Sequence, residues 1–181
     1  MFDISSAVIH YNRTLQSGVK QSDKHMDGFS ELLKNEFHHM NIKEKHKATL
    51  QGGILNKRWD LLAYNSKKEF AFEFKSILSS RFGRNYSSRV EEAIGVGYDA
   101  KARNKKAKLG YLIVLENDDN NSYKFHDKIN IFCNSIVNDY KIYSSALAIE
   151  VTGAEWKYLF NDYKKFIDKF YQNSIFDLLG I

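Results

Sequence analysis

The sequence predicts an α/β fold, a mixed central β-sheet flanked by helices, and three observations carry that expectation. Apolar side chains recur at helical spacing over residues 25–40 and 126–140. Two strand-like segments, 59–64 and 69–77, flank a short polar linker, as the arms of a hairpin do. Two further apolar runs, 109–115 and 144–152, alternate with helical stretches, the pattern of strands covered on both faces.

In chain order, residues 5–17 read as a short helix with Val8, Ile9 and Leu15 on one side. Over 25–40 the helical face is Met26, Phe29, Leu33, Phe37 and Met40, with Asp23 or Asp27 to cap its start. Gly52-Gly53 marks a turn or bulge. The hairpin linker is Asn65-Ser66-Lys67-Lys68. Residues 79–88, rich in Ser, Arg, Asn and Gly, read as a polar loop before a helix over 88–105. There Ser88 and Glu91 have the spacing of a capping box. A polar turn at 117–122 leads to a helix at 126–140 that presents Ile129, Phe132, Cys133, Ile136 and Val137 on one face. A last helix is expected at 154–171. It would carry Tyr158, Phe160, Tyr163, Phe166, Phe170 and Tyr171, an aromatic surface for core packing or for docking another subunit.

At 181 residues, with 43% apolar and 14% aromatic side chains and no proline, the chain is expected to form one domain over 1–181 around a single core. The balance of 27 basic to 22 acidic residues gives a net charge of +5, and the pI is near 9.1. That charge is compatible with a polyanionic partner without requiring one. Cys133 is the only cysteine, so no intramolecular disulfide forms, and its apolar surroundings make it a core thiol. The N-terminus has no basic segment followed by an apolar run, and no stretch reaches the ~20 apolar residues needed to cross a bilayer. The expected location is the cytoplasm. There is no Gly-rich nucleotide loop, so no nucleotide cofactor is implied. His38 and His39 are adjacent and point to different helix faces, with no further ligands spaced to join them, so they form no zinc site.

The chemistry lies in the hairpin. Along Phe70-Ala71-Phe72-Glu73-Phe74-Lys75-Ser76, alternation puts Ala71, Glu73 and Lys75 on one strand face and the phenylalanines on the other. The hairpin can bring Asp60 beside Glu73. Two carboxylates offer the hard oxygen ligands that Mg²⁺ takes, with the main-chain carbonyl of Phe74 as a further donor. Lys75 can orient or help deprotonate an attacking water and offset charge on a phosphoryl group. Phosphodiester hydrolysis fits this set. So does a simple Glu73–Lys75 surface ion pair, because charged pairs on strands are common.

The segments Lys57-Arg58-Trp59-Asp60-Leu61-Leu62 and Phe72-Glu73-Phe74-Lys75-Ser76 resemble the PD-(D/E)xK nucleases, in particular the XhoI-like type II restriction endonucleases. The resemblance continues through Arg81-Phe82-Gly83-Arg84-Asn85-Tyr86-Ser87-Ser88-Arg89-Val90-Glu91-Glu92-Ala93-Ile94-Gly95. Upstream it takes in His25-Met26-Asp27-Gly28-Phe29. Trp59 stands where many of the wider superfamily have Pro, as it does in the XhoI-like enzymes.

The resemblance implies a Mg²⁺-dependent hydrolase of double-stranded DNA with Asp60, Glu73 and Lys75 as its catalytic core. Related folds often recruit one more carboxylate from a helix, and Glu31, Glu91 and Glu92 are the candidates. Arg81, Arg84, Asn85 and Arg89 are candidate DNA contacts. Lys101, Arg103, Lys105, Lys106 and Lys108 suit either the helix dipole or a contact with DNA or a partner. In size and motif placement the chain resembles the small cleavage subunit of a heterodimeric type IIS restriction endonuclease, whose larger partner reads the site and nicks the other strand. The alternatives are a self-sufficient homodimeric enzyme, a nuclease of DNA repair or branched-DNA resolution, and a non-catalytic DNA-binding module. Recognition sequence, cleavage stagger and metal count are not legible in the residues.

Overall fold

The chain is described here by a computed structural model over residues 3–17, 24–39, 42–64 and 69–170. Helix α1 (Ile4–Gln16) starts where the Asp3 carboxylate accepts the Ser6 N–H at 2.9 Å. A short 3₁₀ turn (Lys24–Met26) runs into α2 (Asp27–His39), with Asp27 in its first turn. Then come β1 (Lys43–Gln51), β2 (Asn56–Tyr64) and β3 (Glu69–Leu78). Helix α3 (Phe82–Arg103), β4 (Lys108–Glu116), α4 (His126–Asn134), β5 (Ser145–Thr152) and β6 (Glu155–Phe160) follow, and 163–170 is helical.

The strands form one six-stranded sheet in the order β1-β2-β3-β4-β5-β6. Only β3–β4 and β4–β5 pair in parallel; the other three pairings are antiparallel. Each parallel crossover carries a helix, as parallel neighbours require. The sheet is therefore mixed and covered on both faces, as the sequence predicts.

Side-chain alternation divides the core in two. Phe70, Phe72, Phe74, Leu112, Val114, Leu147 and Ile149 point to α1, α2 and the 163–170 helix. Ala71, Ile77, Leu109, Tyr111, Ile113 and Ala148 point to α3 and α4. Glu73 and Lys75 belong to this second face. Gly110 stands opposite Phe72 in the β3–β4 register, and the Phe72 ring lies over it; a Cβ there would meet that ring and Phe170 Cζ at 3.0 Å. Gly110→Val is accordingly expected to lower the free energy of unfolding by about 1–3 kcal/mol, read as an earlier urea midpoint.

Several sequence expectations are corrected. Residues 79–88 are not a loop. After a 3₁₀ turn (Ser79–Arg81), α3 begins at Phe82, because Phe82 and Tyr86 stack at 4.7 Å and Phe82 stacks on Phe125 at 4.0 Å. These apolar anchors outweigh the turn-like composition between them. Ser88 is thus inside the helix, and the proposed Ser88–Glu91 capping box does not form.

The expected helix over 154–171 is instead a strand, β6, paired with β5, followed by a helix at 163–170. Tyr158 and Phe160 lie on the strand, and Phe166 and Phe170 are buried in the core, so the described residues form no continuous aromatic docking face. Strand β1 was not expected at all. The helix at 126–140 ends at Asn134 and continues as a π turn (Ser135–Asp139). Ile9 is 46% exposed rather than packed beside Val8. Asp23, Met40, the linker 65–68 and Tyr171 lie outside the described residues. Cys133 is buried, and burial pushes its thiol well above the usual range. No described helix is long and apolar enough to cross a membrane.

Candidate active site

The β2–β3 ladder runs from Tyr64↔Glu69 to Leu61↔Phe72. Immediately beyond it, the Asp60 carboxylate takes the place of a strand partner, and its Oδ2 accepts the Phe74 N–H at 2.7 Å. The diverging strand is anchored by Trp59, which is fully buried on the α3 side. Asp60 is thereby fixed beside Glu73. Burial, reinforced by the negative charge of Glu73, lifts the Asp60 carboxyl to about 6.

Glu73 is buried, at 3% exposure. Its Oε1 meets Lys75 Nζ at 2.5 Å and Lys57 Nζ at 3.0 Å. Its Oε2 is buried with no hydrogen-bond partner among the described residues. Glu92, on α3, meets Lys75 Nζ at 3.0 Å, Lys57 Nζ at 3.4 Å and Arg89 at 3.0 Å. Burial opposes the Glu92 charge, but these three cations outweigh it and hold the carboxyl down at about 2. Burial likewise works against the Lys75 ammonium, yet Glu73 and Glu92 prevail and raise its pKa. This environment favours the protonated ammonium, a hydrogen-bond donor.

The floor of the site is aromatic. Tyr111 and Tyr143 pack edge to face at 5.3 Å, both buried, and burial raises both phenols well above their usual range. Tyr143 Oη donates to the Ala93 carbonyl at 3.1 Å, which ties β5's approach to α3 directly behind Glu92.

Asp60, Glu73 and Lys75 are thus together, as expected from the sequence, and of the three candidate helix acids only Glu92 joins them. Glu91, one residue away and so rotated by ~100° on the helix, is exposed. Glu31 is exposed on α2, paired with Lys34 at 2.5 Å. Lys57 was missed. It begins the quoted Lys57-Arg58-Trp59-Asp60 block, and its position three residues before Asp60 on the departing strand was the available signal.

Arg81, Arg84, Asn85 and Arg89 lie on the 3₁₀ turn and α3 rather than in a loop. Arg81, Asn85 and Arg89 fall at four-residue intervals, a row that leads along the helix to Glu92. Arg81 and Arg84 are exposed. The basic group at the end of α3 is divided. Lys101 donates to the Ala107 carbonyl and Lys108 to the Lys169 carbonyl, while Arg103, Lys105 and Lys106 are exposed.

The donor set suits a hard divalent cation. Two carboxylates stand side by side, one lifted by burial and charge and the other with an unsatisfied buried oxygen; a cation relieves both. No group of three His, Cys, Asp or Glu side chains is placed to cage a metal among the described residues. Mg²⁺ does not need one, since it binds through one or two carboxylates and completes its shell with water and phosphate oxygens.

Comparison with known proteins places the chain in a family. Residues 9–132 match the family of restriction endonuclease XhoI. The chain is 32% identical over 109 residues to the type II restriction enzyme AbrI of Azospirillum brasilense, covering 51% of this chain and 49% of that one. It is 33% identical over 119 residues to BstVI of Geobacillus stearothermophilus, covering 55% and 53% respectively. To XhoI of Xanthomonas vasicola it is 30% identical over 118 residues, covering 59% and 48%. The chain spans about half the length of the curated relatives it matches. Among solved structures, a crystal structure of an XisH family protein from Nostoc punctiforme is similar at a TM-score of 0.42 and 14% identity, over 70% of this chain and 95% of that one, too distant to bear on the site. With residues 9–132 matched, the span that holds every acid and lysine of the site, the chain belongs to the XhoI restriction endonuclease family.

Proposed function

We propose that this chain is a type II site-specific deoxyribonuclease: it hydrolyses phosphodiester bonds of double-stranded DNA with Mg²⁺, as a single cytoplasmic catalytic domain. We further propose that it is the cleavage subunit of a heterodimeric type IIS enzyme whose larger partner reads the site. The observation that carries the nuclease reading is the juxtaposition of Asp60, pinned by the Phe74 N–H, with the buried Glu73 and its orphaned Oε2, on the strand face that also bears Lys75.

Asp60, Glu73 and the Phe74 carbonyl would hold the cation, which when bound supplies charge neutralisation at the scissile phosphate and lowers the pKa of water. The chain's own groups do the rest. Lys75, kept charged by Glu73 and Glu92, donates to the attacking water and to the phosphoryl oxygen on which charge builds. Glu92 positions Lys75 from α3, and Lys57 spans the two glutamates. Glu92→Gln, which keeps the shape but weakens the grip on Lys75, is expected to slow cleavage about tenfold and to lower the Lys75 pKa, readable by NMR of the ammonium. Arg81, Arg84, Asn85 and Arg89 would place phosphates along α3, each a salt-sensitive contact.

Incubation of plasmid DNA with the chain and Mg²⁺, with and without a chelator, tests the reading. Cutting that chelation abolishes is expected. Discrete linear fragments from the chain alone would instead identify a self-sufficient homodimer. Specific cutting only after the larger partner is added supports the subunit assignment.

A further inference from the structure

The turn that joins β1 to β2 holds two large apolar side chains in solvent: Ile54 is 92% exposed and Leu55 60%. The turn is nevertheless tied down. The Asp99 carboxylate of α3 accepts the Ile54 and Leu55 N–H groups at 2.6 and 3.0 Å, and the Asp99 carbonyl accepts that of Gly53 at 2.9 Å. Gly52 N–H donates to the Leu55 carbonyl at 2.7 Å, and Asn104 Nδ2 to the Gln51 carbonyl at 2.6 Å. Two adjacent apolar side chains on a backbone fixed by five hydrogen bonds form a preorganised tip that the fold itself does not bury.

The tip stands beside the candidate active site. Leu55 is two residues from Lys57, whose ammonium bridges Glu73 and Glu92. Asp99 lies seven residues along α3 from Glu92, roughly 10 Å at the helical rise. Among the described residues, the neighbouring exposed side chains include four cations and no carboxylate: Arg58 on β2, and Arg103, Lys105 and Lys106 flanking Asn104 at the end of α3, beside the neutral Gln51, Asn56, Tyr98 and Ala102. A protein interface wants an apolar centre depleted of charge. A small apolar tip flanked by Arg and Lys instead complements duplex DNA, with cations for the phosphates and an Ile-Leu wedge for a groove or a base step.

We propose that the turn bearing Ile54 and Leu55 is a DNA wedge, which enters a groove beside the scissile phosphate and holds the duplex in register with Asp60, Glu73 and Lys75. This rests on the reading of the chain as a DNA hydrolase. The test is duplex binding by fluorescence anisotropy in chelator, so that nothing is cut, across a series of salt concentrations, for the full chain and for Ile54→Ser with Leu55→Ser. Both side chains are exposed, so the thermal midpoint should not fall. The double variant is expected to bind about tenfold or more weakly at every salt concentration, with an unchanged slope of log affinity against log salt. An apolar contact releases no counterions, whereas loss of a phosphate contact flattens the slope. Equal affinity, or a loss that comes with a flatter slope, would overturn the wedge and leave the hydrolase reading intact. Unchanged DNA affinity with loss of self-association would make the tip a contact between copies. Where the chain alone binds no duplex the same series is run with the site-reading partner present, and no binding there either would overturn the hydrolase reading itself, and the wedge with it.

Discussion

Asp60→Asn is expected to abolish cleavage while making the metal-free protein more stable. The Asp60 carboxyl titrates near 6 in the folded chain, against 3.8 ordinarily, chiefly because it is buried and then because Glu73 repels its charge. A carboxyl raised in the folded state binds more protons folded than unfolded between those two values. Stability therefore falls as pH rises from about 4 to 6, and the full penalty remains above that window. The penalty is of order 2–3 kcal/mol at pH 7, and the neutral amide escapes it while its oxygen still accepts the Phe74 N–H. The variant should melt at a higher temperature at pH 7, and its stability should be flatter than the parent's across this window. Mg²⁺ should close most or all of that gap. The parent gains about 2.7 kcal/mol at a hundredfold excess of ion over its dissociation constant, whereas the variant, short of a carboxylate ligand, gains little. Differential scanning fluorimetry with and without Mg²⁺ reads both effects, and cleavage by the variant should drop by about 10³-fold or more.

Glu73→Gln should inactivate the protein as completely but with the opposite effect on the fold. Glu73 is the common acceptor for Lys57 and Lys75, and both it and Lys75 are largely buried. Removing its charge leaves two ammonium groups facing each other with only Glu92 between them. Truncating one partner of a buried ion pair typically costs 3–5 kcal/mol; with Glu92 retained, a loss of about 2–3 kcal/mol is expected. Urea denaturation at neutral pH should show it. One carboxylate substitution that stabilises and a neighbouring one that destabilises, both inactive, would separate the two acids by their charge environment rather than by their proximity to DNA.

The elements legible in the sequence are those whose apolar pattern is unambiguous. The alternation through Phe70, Phe72 and Phe74 defines β3 and predicts the face that bears Glu73 and Lys75, and the apolar runs define β4 and β5. Strand β1, Lys43–Gln51, was hidden because it is an edge strand rich in lysine, the composition that keeps edges from pairing with other chains. The sequence points to a start of α3 a turn and a half late because Gly83, Ser87 and Ser88 mask the row Phe82, Tyr86, Val90, Ala93. That misplacement mattered for the site. Whether Glu91 or Glu92 faces Lys75 depends on helix phase, and a one-residue step turns a side chain by ~100°. Lys57 escaped notice because its reach to Glu73 depends on where β2 leaves β3, and only the register reveals that.

Asp60, Glu73 and Lys75 are proposed as a phosphodiester-cutting centre. The most direct measurement is plasmid cleavage in Mg²⁺ by the parent chain and by Lys75→Ala side by side, with the site-reading partner supplied to both if the parent needs it. The expected result is cutting by the parent and a loss of about 10²–10³-fold in the variant, with duplex binding retained. Equal cutting by the two would contradict the assignment of the site.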